Sequence, residues 1–399
     1  MSRRRGRRAM LIAIAGIAGL GLAAFAGLLL VSGAYKPAEY LEPWQKNTAR
    51  QFDDPRVRLT AHGLLAASGH NMQPWKIKLD DSDPLAFYLY ADSERLSEQA
   101  DPLSRQMMVS QGTFLEYVRV AGRQLGYETS VTLFPYGGYD EGNLRASMDA
   151  KPAARIELEQ TDPQSEPLYD FLFLPDTNRL AYQLDKLTLK EVKTLERLSV
   201  GGGITVKVYQ DEEDVRKLGS YALRAAAIEA GVSRVMEEAG VIFRANEREK
   251  NSDRYGFSVE GQGTSGIMRH VVQALVTLFP SMNTGQAAAD RYVRTAEESV
   301  SGTSAYVMIL SSGNSRTSQI ESGMTYSQLI LEAHRLGLAM QPLSQALEEY
   351  AEMKELYDGI HREYAPGGET IQMLVRIGRP TREVPQTMRR DVRELIVEN

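Results

Sequence analysis

The 399-residue chain contains no cysteine. That absence removes disulfide scaffolds, thiolate nucleophiles and cysteine-ligated zinc or iron–sulfur sites together. It does not fix a compartment, although a cysteine-free chain is at ease in an oxidising one. Histidine is scarce, with five in the chain. His62 and His334 fall on helical segments as core or surface residues, His270 and His361 have no partner pattern, and only His70 sits in a motif. There is no His-x-x-x-His, Gly-x-Ser-x-Gly or P-loop sequence. The Gly-rich stretch Gly261–Gly266 follows no convincing strand and reads as a flexible loop, not a phosphate cradle. Positive charge is also short: the net charge is −6, and setting aside Arg3, Arg4, Arg5, Arg7 and Arg8 leaves −11 for the rest. An acidic body is a poor partner for nucleic acid, whose binding rests on basic patches. The hydrophobic fraction of 43% is ordinary for a folded protein of one large domain or two smaller ones.

What is present begins at the amino terminus. The basic tail, residues 1–8, precedes an uncharged run over 9–35 that exceeds the roughly 20 apolar residues a bilayer span requires. The run is long for a signal-peptide core, and Val31-Ser32-Gly33-Ala34 is only a fair cleavage site. A retained transmembrane helix is therefore expected, with export after signal cleavage as the alternative. Arginines before the span predict a cytoplasmic amino terminus and a folded body outside the cytoplasm, as for a single-pass protein of a bacterial inner membrane. Ser2-Arg3-Arg4 partly resembles a twin-arginine export signal, but Gly6 and Arg7 stand where that signal prefers apolar residues. Gly19, Ala23 and Gly27 recur every four residues, a small-residue pattern that could pair spans or arise by chance in such a composition.

Residues 36–55 are polar and Pro-punctuated, as in a tether. The body that follows divides into two halves, 56–164 and 165–399. In the first, strands are expected at Lys76–Leu79, Ala86–Tyr90, Thr129–Pro135 and Ala154–Leu158, with a long helix from Arg105 to Leu125 ending at Gly126. The second repeats the order with strands at Ile204–Tyr209, Ala305–Leu310 and Gln372–Ile377 and a helix from Tyr326 to Leu336 ending at Gly337. Ser110-Gln111-Gly112 stands before Gly126 as Glu321-Ser322-Gly323 stands before Gly337, with equal spacing of the glycines. The later glycine of each pair also suits a helix C′ position.

Ser68-Gly69-His70-Asn71-Met72-Gln73-Pro74-Trp75 sets small, amide and aromatic groups in a Pro-broken turn between a helical segment and a strand. It reads either as a ligand-binding loop or as a plain helix-to-strand turn with Trp75 filling the core. Together with Ala67, the stretch resembles the Pro-Ser-x-x-Asn-x-Gln-Pro-Trp motif of the FMN-dependent nitroreductases, with Ala67 where proline is usual. The resemblance, over roughly Arg56 to Val392, is to the Acg-like branch built of two fused halves. It implies an α+β nitroreductase-like sandwich, internally duplicated, in which an intrachain pseudo-dimer replaces the usual dimer and the chain is monomeric. It also implies an FMN site to which Ser68 and Asn71 contribute, with Gln73 close by.

The same resemblance extends to three further segments. Asp176-Thr177-Asn178-Arg179-Leu180 precedes a helix-like stretch, so Thr177, Asn178 and Arg179 form either an anion site or an ordinary N-cap. By resemblance this is the FMN phosphate grip. Arg389 or Arg390, after Gly378-Arg379-Pro380, matches the late arginine that reaches the phosphate, or is simply solvated. Met340 and Gln341 match the segment along one edge of the flavin ring, where a helix cap and buried strand would also place them. The mostly helical stretch from Asp214 to Asn283 contains Asn246–Gly266, which suits either a lid over the flavin or a surface loop.

A flavin accounts for the lack of an acid–base constellation, because the cofactor carries the redox chemistry. The expected function is a membrane-anchored FMN oxidoreductase reducing nitro, quinone or similar small-molecule acceptors. Its electron donor is open between NAD(P)H, a quinol and a partner protein. The alternatives are a non-catalytic protein that sequesters FMN in an occluded pocket and a structural partner of an envelope complex.

Overall fold

The computed structural model describes residues 2–397, with residues 2–9 by backbone alone. Uninterrupted by proline, Ser2–Ser32 forms one helix, α1, and its Met10–Ser32 portion is long and apolar enough to cross a membrane. The expected tether does not hang free. Tyr40, Trp44 and Ala49 are buried, because two short 3-10 turns, Glu39–Trp44 and Ala49–Gln51, fold this stretch back onto the body.

α2 (Pro55–Gly63) starts where Asp54 accepts a hydrogen bond from the Arg56 amide at 2.8 Å and Pro55 takes the first helical position. Then come β1 (Trp75–Leu79), β2 (Ala86–Ala91), α3 (Arg105–Leu125), β3 (Tyr127–Leu133), α4 (Leu144–Ala150) and β4 (Ala154–Gln160). These strands form an antiparallel sheet in the order β1-β2-β4-β3. Alternation drives Trp75, Ile77, Phe87, Leu89 and Ile156 inward, where they are fully buried. Gly126, at φ 83°, ends α3 in the left-handed conformation.

The second half opens with α5 (Leu189–Glu196), β5 (Ile204–Tyr209), α6 (Glu212–Gly231) and α7 (Ser233–Val241). Two short strands, β6 (Phe243–Arg244) and β7 (Phe257–Ser258), bracket α8 (Glu247–Asp253) and pair in parallel. α9 (Gly266–Leu278), α10 (Gly285–Ser301), β8 (Ala305–Ser311), α11 (Arg316–Arg335), β9 (Ala339–Pro342), α12 (Lys354–Tyr364) and β10 (Thr370–Gly378) complete it. The second sheet runs β5-β8-β10-β9, the same rank order as the first, and each long helix follows the second strand of its sheet. β8 and β10 carry near-continuous apolar runs because layers cover both faces.

α3 and α11 cross at their glycines. A Cβ on Gly112 would lie 1.9 Å from the Ile320 carbonyl oxygen, and one on Gly323 would lie 1.9 Å from that of Val109. The chain end then returns to the first half, where Ile396 bridges Ile77 in parallel at the open edge of β1. Three further expectations differ from what is observed. α11 starts ten residues before Tyr326, because the Ser315 hydroxyl accepts from the Ser318 amide at 3.1 Å and nucleates an earlier turn. No helix follows Asp176–Leu180; Tyr182 instead bridges Pro380, and α5 begins only at Leu189 behind a Thr188 capping box. Gly261–Gly266 is a short 3-10 turn, Glu260–Gln262, running into α9.

Candidate functional site

Residues 64–74 leave α2 and cross the crossed-helix pair before entering β1. α3 supplies the anchors: the Ser110 hydroxyl accepts from the Gly69 amide at 3.1 Å, Thr113 donates to the Ala67 carbonyl at 2.6 Å, and Gln111 donates to the Pro74 carbonyl at 3.0 Å. Trp75 locks the exit. Its indole N–H donates to the Ser110 carbonyl at 2.8 Å while its ring packs on Phe114 at 5.3 Å. So anchored, the loop holds His70, Asn71 and Gln73 at φ 50°, 53° and 50°. Three left-handed non-glycine residues within four positions store strain that the surrounding bonds must balance, a condition concentrated at ligand sites.

A cavity of about 200 Å³ lies beside this loop, between the two halves. The first half contributes Ser68, Gly69, His70, Asn71, Gln106 and Ser110, and the irregular segment after β4 contributes Asp176, Thr177 and Arg179. Gly256, Phe257, Ser258 and Gly261 form another wall, and Tyr326, Ser344, Gln345 and Glu348 complete the second half's share. Burial lowers the Arg179 guanidinium from its ordinary value. It donates to the Gly261 carbonyl at 2.8 Å, and among the described residues no carboxylate forms an ion pair with it. Burial, reinforced by Arg179, pushes His70 down to about 4, so its ring is neutral at pH 7. Also in the lining, the Tyr326 hydroxyl and Glu348 Oε2 are buried without hydrogen-bond partners among the described residues. Burial raises both groups well above their usual ranges, which favours the protonated form of each. The cavity lining thus combines a guanidinium that has no carboxylate ion pair among the described residues with unpartnered polar groups, which suits a ligand carrying an anionic group.

A scan against models of known protein families finds no match, and no curated protein matches the chain. Among solved structures, it is similar to a nitroreductase with bound FMN from Desulfitobacterium hafniense, at 11% identity over 56% of this chain and 95% of that one, with a TM-score of 0.34. It is also similar to a nitroreductase-like family protein from Bacillus cereus, at 10% identity over 59% and 96% of the two chains and a TM-score of 0.33. A third is the FMN-dependent nitroreductase NfnB from Mycobacterium smegmatis in complex with NADPH, at 14% identity over 50% and 82% and a TM-score of 0.29.

The cavity brings together Ser68, Asn71, Thr177, Arg179 and Arg389, but it does not include Gln73, Asn178, Met340 or Gln341 among its lining residues. Gln73 is fully buried, donating to the Arg254 carbonyl at 2.9 Å and accepting from the Arg390 amide at 2.8 Å, so it ties the chain end to the loop. Asn178 donates to the Arg382 carbonyl at 2.9 Å. Met340 packs in the core, and Gln341 accepts from Arg376 at 2.7 Å. Pro342, Ser344 and Gln345, just beyond them, reach the cavity instead. Arg389 is committed elsewhere. It pairs with buried Asp176 at 2.9 Å, donates to Asn71 at 3.0 Å and to the Leu65 carbonyl at 2.8 Å, and stacks on Trp44 at 4.4 Å. Arg390 bonds backbone carbonyls away from the cavity.

Ser110, Thr113, Tyr326, Gln345 and Glu348 were not singled out from the sequence. Ser110 stands in the Ser-x-Gly step whose glycine marked the helix crossing, and that step was the only available signal. Tyr326 and Glu348 lie in apolar or mixed runs with no local pattern.

The polar floor extends beyond Gln345, which donates to the Tyr292 hydroxyl at 2.9 Å; that hydroxyl in turn donates to Glu229. Burial pushes Glu229 from 4.5 up to about 7. The folded protein therefore holds this proton more tightly than the unfolded chain does. Its contribution is complete below about pH 4.5 and is lost as pH rises toward about 7. Glu229→Gln keeps an acceptor for Tyr292 and should flatten that part of the profile. The check is urea unfolding of both proteins at pH 5 and pH 8, where an equal loss in the two would refute the assignment.

Proposed function

We propose that this chain is a membrane-anchored FMN-binding oxidoreductase of nitroreductase type, with two fused halves of the Acg-like kind enclosing one flavin and reducing nitro, quinone or similar acceptors. The supporting observation is Arg179: a guanidinium lining the cavity with no carboxylate ion pair among the described residues, in the same lining as a strained loop and unpartnered polar groups. Arg179 and Thr177 would hold the phosphate. The Ser68–Asn71 loop, Gln106, Tyr326 and Glu348 would line the remainder, with Tyr326 and Glu348 offering protons to polar atoms of a ligand. FMN, when bound, supplies hydride and electron transfer, while the protein contributes orientation and exclusion of water. Repetition of one sheet order around crossed helices supports an intrachain pseudo-dimer and a monomeric chain. With α1 spanning a bacterial inner membrane and the body outside, the electron donor is a membrane quinol or a partner protein, because NAD(P)H is a cytoplasmic pool.

A second reading, FMN sequestration, draws on the wall at Gly256–Gly261. Just behind it, Lys250 pairs with Glu247 at 2.7 Å and with Glu260, and bonds the Tyr40 hydroxyl at 2.7 Å. All of these groups are buried, so the expected lid is pinned at its base.

An absorbance spectrum of the purified full chain tests both readings. Flavin that is reduced by a donor and reoxidised by an acceptor supports the enzyme, bound flavin that never turns over supports sequestration, and no flavin affinity refutes both. Arg179→Ala should weaken FMN binding by about 1.5–3 kcal/mol, the worth of a charge-assisted hydrogen bond. Fluorescence titration measures it, and an unchanged Kd removes Arg179 from the site.

A further inference from the structure

We propose that the outward face of α9 and the turn after it, Leu278 to Asn283, lie in the headgroup layer of the bilayer beside α1, so that the body rests on the lipid surface. The proposal takes from the reading above that α1 is a retained span.

Length is the first argument. Within α1, Phe25, Gly27, Leu28, Leu29 and Val31 are half-buried and Ser32 is buried, against a body surface to which α9 contributes. The Ser32 hydroxyl lies 3.4 Å from His270 Nδ1 on α9. Among the residues whose side chains are described, the continuously free part of α1 is Met10 to Ala24, about 22 Å of helix. A hydrocarbon core of about 30 Å needs roughly 20 residues. A bilayer that covers α1 from Met10 therefore extends to the residues packed on the body, and it brings α9 to headgroup depth.

Charge is the second. A quarter of the chain is charged, yet between Glu260 and Asp290 Arg269 is the lone formally charged residue. Arg269 turns inward, 3.5 Å from Glu260 and 3.8 Å from Glu247, so the outer face of α9 carries no charge.

Exposure is the third. Gln273, Ala274 and Val276 face the body, whereas Ile267, Met268, Leu278, Phe279 and Met282 are exposed, Phe279 by 55%. An amphipathic helix with a large apolar edge beside a span is what an interfacial helix requires. A loosely tethered body would gain nothing from that edge in water.

Because the chain has no cysteine, single labels report without background. Spin labels at Leu20→Cys in α1, at Phe279→Cys and Met282→Cys, and at Lys190→Cys on exposed α5 are placed in the full chain, reconstituted in phosphatidylcholine–phosphatidylglycerol vesicles. Power saturation with oxygen and with a water-soluble nickel chelate is then measured. Positions 20, 279 and 282 should favour oxygen by several-fold over position 190. If 279 and 282 behave like 190 while 20 stays in lipid, the docking surface is refuted and the span stands. If position 20 is also in water, both fail. Labels at 279 and 282 shielded from both reagents, with dipolar broadening lost on dilution with unlabelled chain, mean that a second copy covers the face, and this too overturns the proposal.

Discussion

Replacing Arg389 by methionine should destabilise the protein by about 3–5 kcal/mol, the cost of leaving one member of a buried ion pair without its partner. Arg389 is 2% exposed and Asp176 is 7% exposed, and the Tyr117 hydroxyl donates to Asp176 at 2.7 Å, so the pair is largely withdrawn from bulk water. Burial already pushes the Asp176 carboxyl up, and removing the guanidinium would drive it to protonate. Arg389 also fastens the chain end to the Leu65 carbonyl and to Asn71, hence to the cavity loop. Urea unfolding of the flavin-free protein measures the effect. The double variant Arg389→Met with Asp176→Asn should recover part of the loss, since no buried charge then remains. If flavin-free stability is unchanged, Arg389 is a free ligand-binding cation and not part of the scaffold.

Gly323→Ala should cost about 3 kcal/mol or more, at or beyond the upper end of ordinary overpacking. The added methyl would sit 1.9 Å from the Val109 carbonyl oxygen and 3.0 Å from the Gly112 Cα, both backbone atoms that no rotamer change can move. Relief requires α3 and α11 to separate, which would also open the cavity they help to line through Ser110 and Tyr326. A lowered urea midpoint with weaker flavin binding is the expected result. As a contrast, Gly137 has open space around it but a φ of 82°, so Gly137→Ala should show only the modest cost of a left-handed alanine. Equal midpoints for Gly323→Ala and the parent protein would mean that the helices do not cross this closely.

The strands were legible wherever apolar residues alternate or run continuously, as in Ile204–Tyr209, because such patterns encode burial locally. The α3 boundary was legible for a similar reason: Gly126 is the kind of residue a left-handed cap needs. By contrast, the start of α11 was missed. Its first turns carry Arg316, Thr317, Ser318 and Gln319, and the helix there depends on the Ser315 cap and on packing against α3, not on an apolar stripe. The packing of residues 36–55 is not legible in the sequence, because Tyr40 and Trp44 look like isolated aromatics in a polar stretch, and only the body shows what they fill.

The site divides in the same way. Ser68, Asn71 and Arg179 stand out in the sequence because their types suit a ligand and their neighbours break regular structure. Whether a polar side chain is free or spent is a different matter, since partners hundreds of residues away decide it. Gln73 is consumed by Arg254 and Arg390, Gln341 by Arg376, and Arg389 by Asp176. By itself the sequence determined the apolar amino-terminal helix, the acidic cysteine-free body and most of the strands of the two four-stranded sheets, because charge, hydropathy and periodicity are local properties. Tertiary structure alone decided that Arg179 lines the cavity with no carboxylate ion pair among the described residues while Arg389 is paired with Asp176, because a charge is compensated only by what folding brings within a few ångströms of it.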